Sequence, residues 1–176
     1  MTPFACISAD PMWAELGGGG RGAQNHYEVA STPEIIRVML SSPVWRPARD
    51  AHLWLWVTDN FLEDGLLVMR ALGFRYVRTA VWVKTSANQE RLAFGLGQYM
   101  RGQHELALFG VRGRAPARAR DVGSVIIAPR GRHSRKPDEF YERAERLSPA
   151  PRLEMFAREP RAGWTVWGNE VEARDT

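Results

Sequence analysis

Cys6 is the only cysteine in 176 residues, so an intramolecular disulfide framework and a CxxC metal site are both excluded, and a reducing, cytoplasmic setting is expected. Cys6 lies in the apolar run Phe4-Ala5-Cys6-Ile7 and reads as a small core residue rather than a nucleophile. The four histidines, His26, His52, His104 and His133, show no HxxxH-type spacing. No GxSxG elbow and no P-loop lysine motif occurs, so metal, hydrolase and NTPase chemistry have little support and no bound metal is expected. No apolar run approaches the roughly 18 residues of a membrane span. The N-terminus also lacks the charged-then-apolar pattern of a secretion signal, so a soluble, unexported protein with no membrane partner is expected.

What the chain does have is enough apolar material, 44% of 176 residues, for one domain over 1–176 with a substantial core. Its net charge of +4 comes from many arginines. That balance fits a polyanionic partner without singling one out.

Strand and helix patterns alternate. Phe4–Ala9 reads as a buried strand and Pro33–Leu40 as a short helix opened by Ser31 and Thr32, with Glu34 in its first turn. His52–Thr58 ("HLWLWVT") is a second strand. Phe61–Leu72 carries helical apolar spacing and stops at Gly73. Tyr76–Val83 is a strand leading to an exposed Lys84, followed by strands at Glu105–Val111 and Val125–Ala128. A helix over Pro137–Leu147 and strands at Leu153–Ala157 and Thr165–Trp167 complete the set. This alternation predicts an α/β sheet with helices on both faces. Ser86–Gly97 and Arg112–Gly123, rich in Gly, Ala, Arg and polar residues, read as surface loops.

Two stretches invite chemistry. Gly17–Gly22 ("GGGGRG") matches GxGxxG in letters only, because the polar run Gln24-Asn25-His26-Tyr27 intervenes before any helix, and the dinucleotide fingerprint requires a direct strand-to-helix turn. A lid over a pocket is the better expectation. "ADPMW" places Asp10, Pro11 and Trp13 just past the end of the first strand, where open α/β sheets form their ligand crevice. An Asp-Pro turn with a core tryptophan is the plain structural alternative. His52, opening an apolar strand, is expected to be structural, and Glu105 at a strand start is either a solvated terminus or a pocket acceptor.

The ordered islands "ADPMW", "LWLWVT", "VWVKT", "HSRKPDEFYERAERLSP", "RLEMFAR" and "GWTVWGNE" resemble the adenine N6-methyltransferase family of the mRNA adenosine methyltransferase catalytic subunit, which includes bacterial and phage DNA enzymes. The likeness runs from Phe4 to Glu170. It implies a Rossmann-like class I methyltransferase sheet with the motifs in permuted order, the catalytic strand first and the donor-site motifs last. It also implies S-adenosylmethionine as cofactor, no metal, and a nucleic-acid substrate. DNA is expected ahead of RNA, by way of an extruded or single-stranded adenine. A member that binds nucleic acid with weak turnover is a further alternative, and self-association into a homodimer is left open.

The family pattern at Asp10, Pro11, Met12 and Trp13 is Asp-Pro-Pro-Trp. The exocyclic amine of adenine is a poor nucleophile because its lone pair is delocalised into the ring. Two acceptors that take its two hydrogens favour a pyramidal nitrogen and turn the lone pair toward an electrophilic methyl. By resemblance those acceptors are the Asp10 carboxylate and the Pro11 main-chain carbonyl. Trp13 would stack on the purine, a contact worth about 1–3 kcal/mol. The same likeness carries donor binding onto Lys136, Phe156, Arg158, Asn169 and Glu170, with Lys136 and Arg158 suited to the donor's carboxylate and hydroxyl oxygens. Tyr27 and Glu105 match positions that approach the acceptor adenosine.

Three departures stand out. Met12 replaces a proline, which restores a backbone N–H and loosens φ. Glu159-Pro160-Arg161 stands where the eukaryotic enzyme has a His-Asn pair. With nine residues ahead of Asp10, the family's upstream acidic donor contact is not expected in this chain.

Overall fold

The computed structural model describes residues 2–13, 30–95, 97, 99–131 and 135–168. Its elements run β1 (Phe4–Ala9), α1 (Thr32–Ser41), β2 (Pro47–Val57), α2 (Leu62–Ala71), β3 (Arg75–Thr85), β4 (His104–Arg112), β5 (Val125–Pro129), α3 (Asp138–Leu147), β6 (Arg152–Met155) and β7 (Thr165–Trp167). Local chemistry sets several boundaries. Glu34 accepts from the Ser31 amide and hydroxyl, both at 2.8 Å, closing the start of α1 behind Pro33. Gly73, at φ 81°, ends the turn after α2.

The seven strands form one sheet in the order β5-β3-β4-β2-β1-β6-β7. All run parallel except β4, which lies antiparallel between β2 and β3. Alternation along β2 shows how both faces are filled. Ala51, Leu53, Leu55 and Val57 join a core with Ile35 and Met39 of α1 and Val68 and Met69 of α2. Trp54 and Trp56 point the other way, into a core with Phe140 and Ala144 of α3. The expected α/β Rossmann-like sheet with helices on both faces is thus what the chain forms. The acid-bearing strand comes first in the chain and the strands of the expected donor motifs come last.

Most element ends differ from the sequence reading by a residue or two, and two differences have a clear physical cause. β2 begins at Pro47 rather than His52, because its polar first residues are held by pairing, Phe4 with Pro47 and Ala51 with Arg112. β6 stops at Met155 because Phe156 takes φ 63°, a left-handed conformation that breaks the strand.

Candidate active site

The connection from β1 leads to its neighbour β2, and that from β6 leads away to β7 on the other side. The carboxyl ends of β1 and β6 therefore flank the topological switch point, where parallel sheets open a crevice. Every candidate residue within the described chain gathers along this one edge. Asp10 and Pro11 follow β1, Trp56 lies next to the end of β2, Lys84 next to the end of β3, Glu105 is the second residue of the reversed β4, Lys136 precedes α3, and Phe156 follows β6. Tyr27, Asn169, Glu170 and the glycine run Gly17–Gly22 lie outside the described residues.

The centre of the site is a chain of alternating charges. The Lys136 ammonium lies 2.8 Å from Oδ2 of Asp10 and 2.9 Å from Oε2 of Glu105. The other Glu105 oxygen, Oε1, is 2.5 Å from the Lys84 ammonium. Lys136 is nearly buried, at 8% side-chain exposure, and Asp10 is the most open of the four at 28%. Burial pushes the Lys136 ammonium down, but Asp10 and Glu105 more than offset it and hold its pKa above the ordinary lysine value. Burial likewise pushes the Glu105 carboxyl up, and the fields and hydrogen bonds of Lys136 and Lys84 together bring it below the usual carboxylate range. Lys136 and Glu105 thus hold each other ionised, and removing any one of the four strands a partner in a largely desolvated place.

This corrects one expectation: Lys84 is not an exposed strand end; it is four-fifths buried and ion-paired. Lys136, expected to serve donor oxygens, pairs here with the carboxylates of Asp10 and Glu105. Neither pairing is legible in sequence, because the four partners come from four separate segments.

Trp13 sits in the core. It is 5% exposed, its ring stacks on Phe61 at 5.5 Å, and its Nε1–H donates to the Trp56 carbonyl at 3.0 Å. It braces the turn after β1 instead of offering an open face to a base. Beside it the Met12 carbonyl accepts from the Ala30 amide at 3.0 Å, and Trp13 bridges to Ala30, so main-chain pairing restrains the turn where the family's second proline is missing. Among the described residues, nothing occupies the Pro11 carbonyl or Oδ1 of Asp10.

Just past β6, Phe156 holds its φ of 63° with its ring edge-on to Trp167 at 5.9 Å. A non-glycine residue kept in this region marks a place where the surroundings dictate backbone shape. Gly168 packs so closely that an added Cβ would meet the Ala157 carbonyl at 2.3 Å, and Ala157 N–H donates to Trp167 O at 3.0 Å. These contacts bring Phe156 and Ala157 beside Trp167 and Gly168. Arg158, half-buried, follows directly.

Glu154 is a residue the sequence reading passed over. Its carboxylate accepts from the Tyr141 hydroxyl at 2.5 Å, and burial raises its pKa, with the charge of Asp10 adding to the effect. The signal was an acid inside an otherwise apolar strand, Leu153-Glu154-Met155. Above it the Arg161 guanidinium lies 3.6 Å over the Tyr141 ring and pairs with Asp138 at 2.9 Å, while Arg135 pairs with Glu159 at 2.8 Å. These links strap the segment after β6 to the segment carrying Lys136. Three buried polar atoms at the same edge, Trp56 Nε1, Thr58 Oγ1 and Thr85 Oγ1, find no partner among the described residues, as befits a place made to take water or ligand.

The MT-A70 family model matches residues 4–170. This chain belongs to the MT-A70 family. It is 32% identical over 172 residues to the rice protein named probable N(6)-adenosine-methyltransferase MT-A70-like, covering 96% of this chain and 23% of that one. It is 32% identical over 177 residues to the human N(6)-adenosine-methyltransferase catalytic subunit METTL3, covering 96% of this chain and 28% of that one. The type II methyltransferase M.MunI of Mycoplasma sp. is 32% identical over 128 residues, covering 70% of this chain and 52% of that one. The chain thus spans about a quarter of the MT-A70-like relatives. The MT-A70 match covers every element of the sheet and all four members of the charge chain.

Proposed function

We propose that this chain is an S-adenosylmethionine-dependent adenine N6-methyltransferase acting on DNA through an extruded or single-stranded base. The carrying observation is Asp10 at the carboxyl end of central β1, with Oδ1 and the neighbouring Pro11 carbonyl without a partner among the described residues. Those two acceptors suit the two hydrogens of the adenine amine. When they are satisfied, the nitrogen lone pair turns out of the ring plane toward the crevice between β1 and β6.

The residues present fit the donor. Phe156 and Arg158 follow β6 at this edge, an aromatic ring to pack on the donor and a guanidinium for its carboxylate or hydroxyl oxygens. When bound, S-adenosylmethionine supplies an electrophilic methyl, so the protein's task is orientation and electrostatics. Asp10 and Pro11 would hold N6 by its two hydrogens, with the lone pair turned out of the ring plane. Asp10 Oδ1 then takes the surplus N6 proton.

Polymer binding is supported by the net charge of +4 and by the β3–β4 loop at the site edge. That loop exposes Phe94, Tyr99 and Met100 between Arg91 and Arg101, a mixture of stacking and phosphate-pairing groups. The M.MunI likeness supports the DNA side. The names of the rice and human relatives favour RNA adenosine as the second reading. Weak turnover, the reading Met12 suggests, loses support from the main-chain restraint on that turn. Incubation with labelled donor and matched DNA and RNA oligonucleotides, followed by nucleoside mass spectrometry, tests all three. N6-methyldeoxyadenosine is expected; methylated adenosine in RNA alone would move the substrate, and no methylated base in either would overturn the enzymatic reading.

A further inference from the structure

Of the 24 basic residues in this chain only two, Lys84 and Lys136, are lysines. Both touch the same carboxylate, Glu105, one on each oxygen. Arginine, with its planar fork, serves everywhere else on the molecule. An ammonium is a compact, rotatable point charge and can be shared between single oxygens of different carboxylates.

The setting beneath is also paired. Lys84 lies 5.3 Å over the ring of Trp82 and Lys136 lies 4.8 Å over that of Trp56. The two indoles meet edge to face at 6.3 Å. Glu105 is the register partner of Trp82, and Lys84 is two residues further along β3. The pleat therefore puts Lys84 on the same face as Glu105, at the diagonal cross-strand position. Backbone register thus places Lys84 within reach of Oε1.

We propose that Lys84 is a positioning residue for the amine-accepting carboxylate: by holding Oε1 of Glu105 it aims Oε2 at Lys136, and so divides the Lys136 ammonium between Glu105 and Asp10. The inference rests on the reading of Asp10 as acceptor. Without a well-placed, ionised Glu105, Lys136 would pair with Asp10 alone. A one-to-one pair would draw the Asp10 charge toward Lys136 and weaken its acceptance of the amine hydrogen. Lys84 thus acts on the reacting atoms only through Glu105 and Lys136.

The groups facing Glu105 are Lys84 from β3 and Lys136 ahead of α3, with Asp10 behind Lys136. The adjacent His104 turns away to Asp59 at 3.1 Å. Two cations hold the Glu105 carboxyl low against burial. With Lys84 gone, Lys136 alone opposes burial and the carboxyl titrates at higher pH.

The test compares full-length wild type with Lys84→Met, Lys84→Gln and Lys84→Arg. Three quantities are read: kcat against pH on an adenine oligonucleotide, donor affinity by calorimetry, and the Glu105 titration by NMR of 13C-labelled glutamate without substrate. The neutral variants are expected to lose at least about tenfold in kcat near neutrality, the scale of coupling between neighbouring charges. Their acid limb and the Glu105 midpoint should move to higher pH, with donor affinity unchanged, and Lys84→Arg should restore both midpoints toward wild type. A neutral variant that folds and keeps wild-type kcat and an unmoved Glu105 midpoint overturns the proposal; so does a loss confined to donor affinity. Should Lys84→Met not fold, Lys84→Gln keeps a polar head and decides. If wild type itself methylates no adenine, the acceptor reading fails, and the NMR midpoints still judge the Lys84–Glu105 relation.

Discussion

The indole N–H of Trp13 donates to the main-chain carbonyl of Trp56 at 3.0 Å, tying the turn after β1 to the end of β2. Phe61 completes the brace by stacking on the same indole at 5.5 Å. Trp13→Phe keeps an aromatic on Phe61 and loses one buried hydrogen bond, so a cost of about 1 kcal/mol is expected. Trp13→Ala opens a cavity as well and should cost about 3–5 kcal/mol. Urea unfolding checks both. A Trp13→Ala protein of wild-type stability that fails only in oligonucleotide binding would return Trp13 to the role of a base-stacking residue.

Asp10 has Oδ2 held by Lys136 and no partner for Oδ1 among the described residues. Asp10→Ala is expected to lower methyl transfer by at least about a hundredfold, as for loss of a proton-accepting group, and to leave donor binding largely intact. Single-turnover kinetics with labelled donor, read beside calorimetry on the same folded variant, check this. Undiminished turnover would remove Asp10 from the mechanism.

His52 gives the fold a pH dependence of its own. Its Nε2 lies 3.3 Å from the Ala115 carbonyl and its Nδ1 lies 2.9 Å from the Ser148 hydroxyl, which also accepts from Trp54 Nε1 at 3.2 Å. The neutral ring satisfies this arrangement, donating to Ala115 and accepting from Ser148. Burial lowers its pKa and outweighs the bond to Ala115. The unfolded chain therefore takes up a proton near pH 6.5 that the folded chain refuses, and stability, full above about pH 6.5, falls as pH drops toward the folded pKa. Thermal midpoints between about pH 7 and pH 5, above the usual carboxylate range, should decline in wild type and flatten in His52→Asn. A flat wild-type profile would count against a neutral buried His52.

Tyr99 is almost fully exposed, at 99%, on the loop joining Lys84's strand to Glu105's. Tyr99→Ala is expected to weaken single-stranded oligonucleotide binding by about 1–3 kcal/mol, the worth of one stacked base, with donor affinity unchanged. Wild-type binding should fall steeply and linearly in log–log terms with salt. Fluorescence anisotropy across a salt series reads both. Salt-independent binding, or indifference to Tyr99, would take this loop out of the nucleic-acid contact.

The sequence by itself determined the succession of strands and helices, the place of Asp10 at a strand end and the order of the motifs. These are local: apolar period, helix-opening residues and a glycine stop are written in neighbouring residues. The polar start of β2 was hidden because pairing with β1 and β4, not composition, makes it a strand. Cys6, read as core, is buried, and burial pushes its thiol up to about 12.

Only the tertiary structure decided who pairs with whom at the carboxyl edge of the sheet. The reversed β4 between β2 and β3 brings Glu105 beside Lys84 and across from Lys136, and the parallel pairing of β1 with β6 sets Asp10 by the Glu154 strand. Trp13 and Lys136 were legible as motif letters but not as contacts, since an aromatic can stack on a ligand or on Phe61, and a lysine can serve a donor or two carboxylates. Those choices depend on distance and desolvation across segments far apart in the chain, which no local pattern encodes.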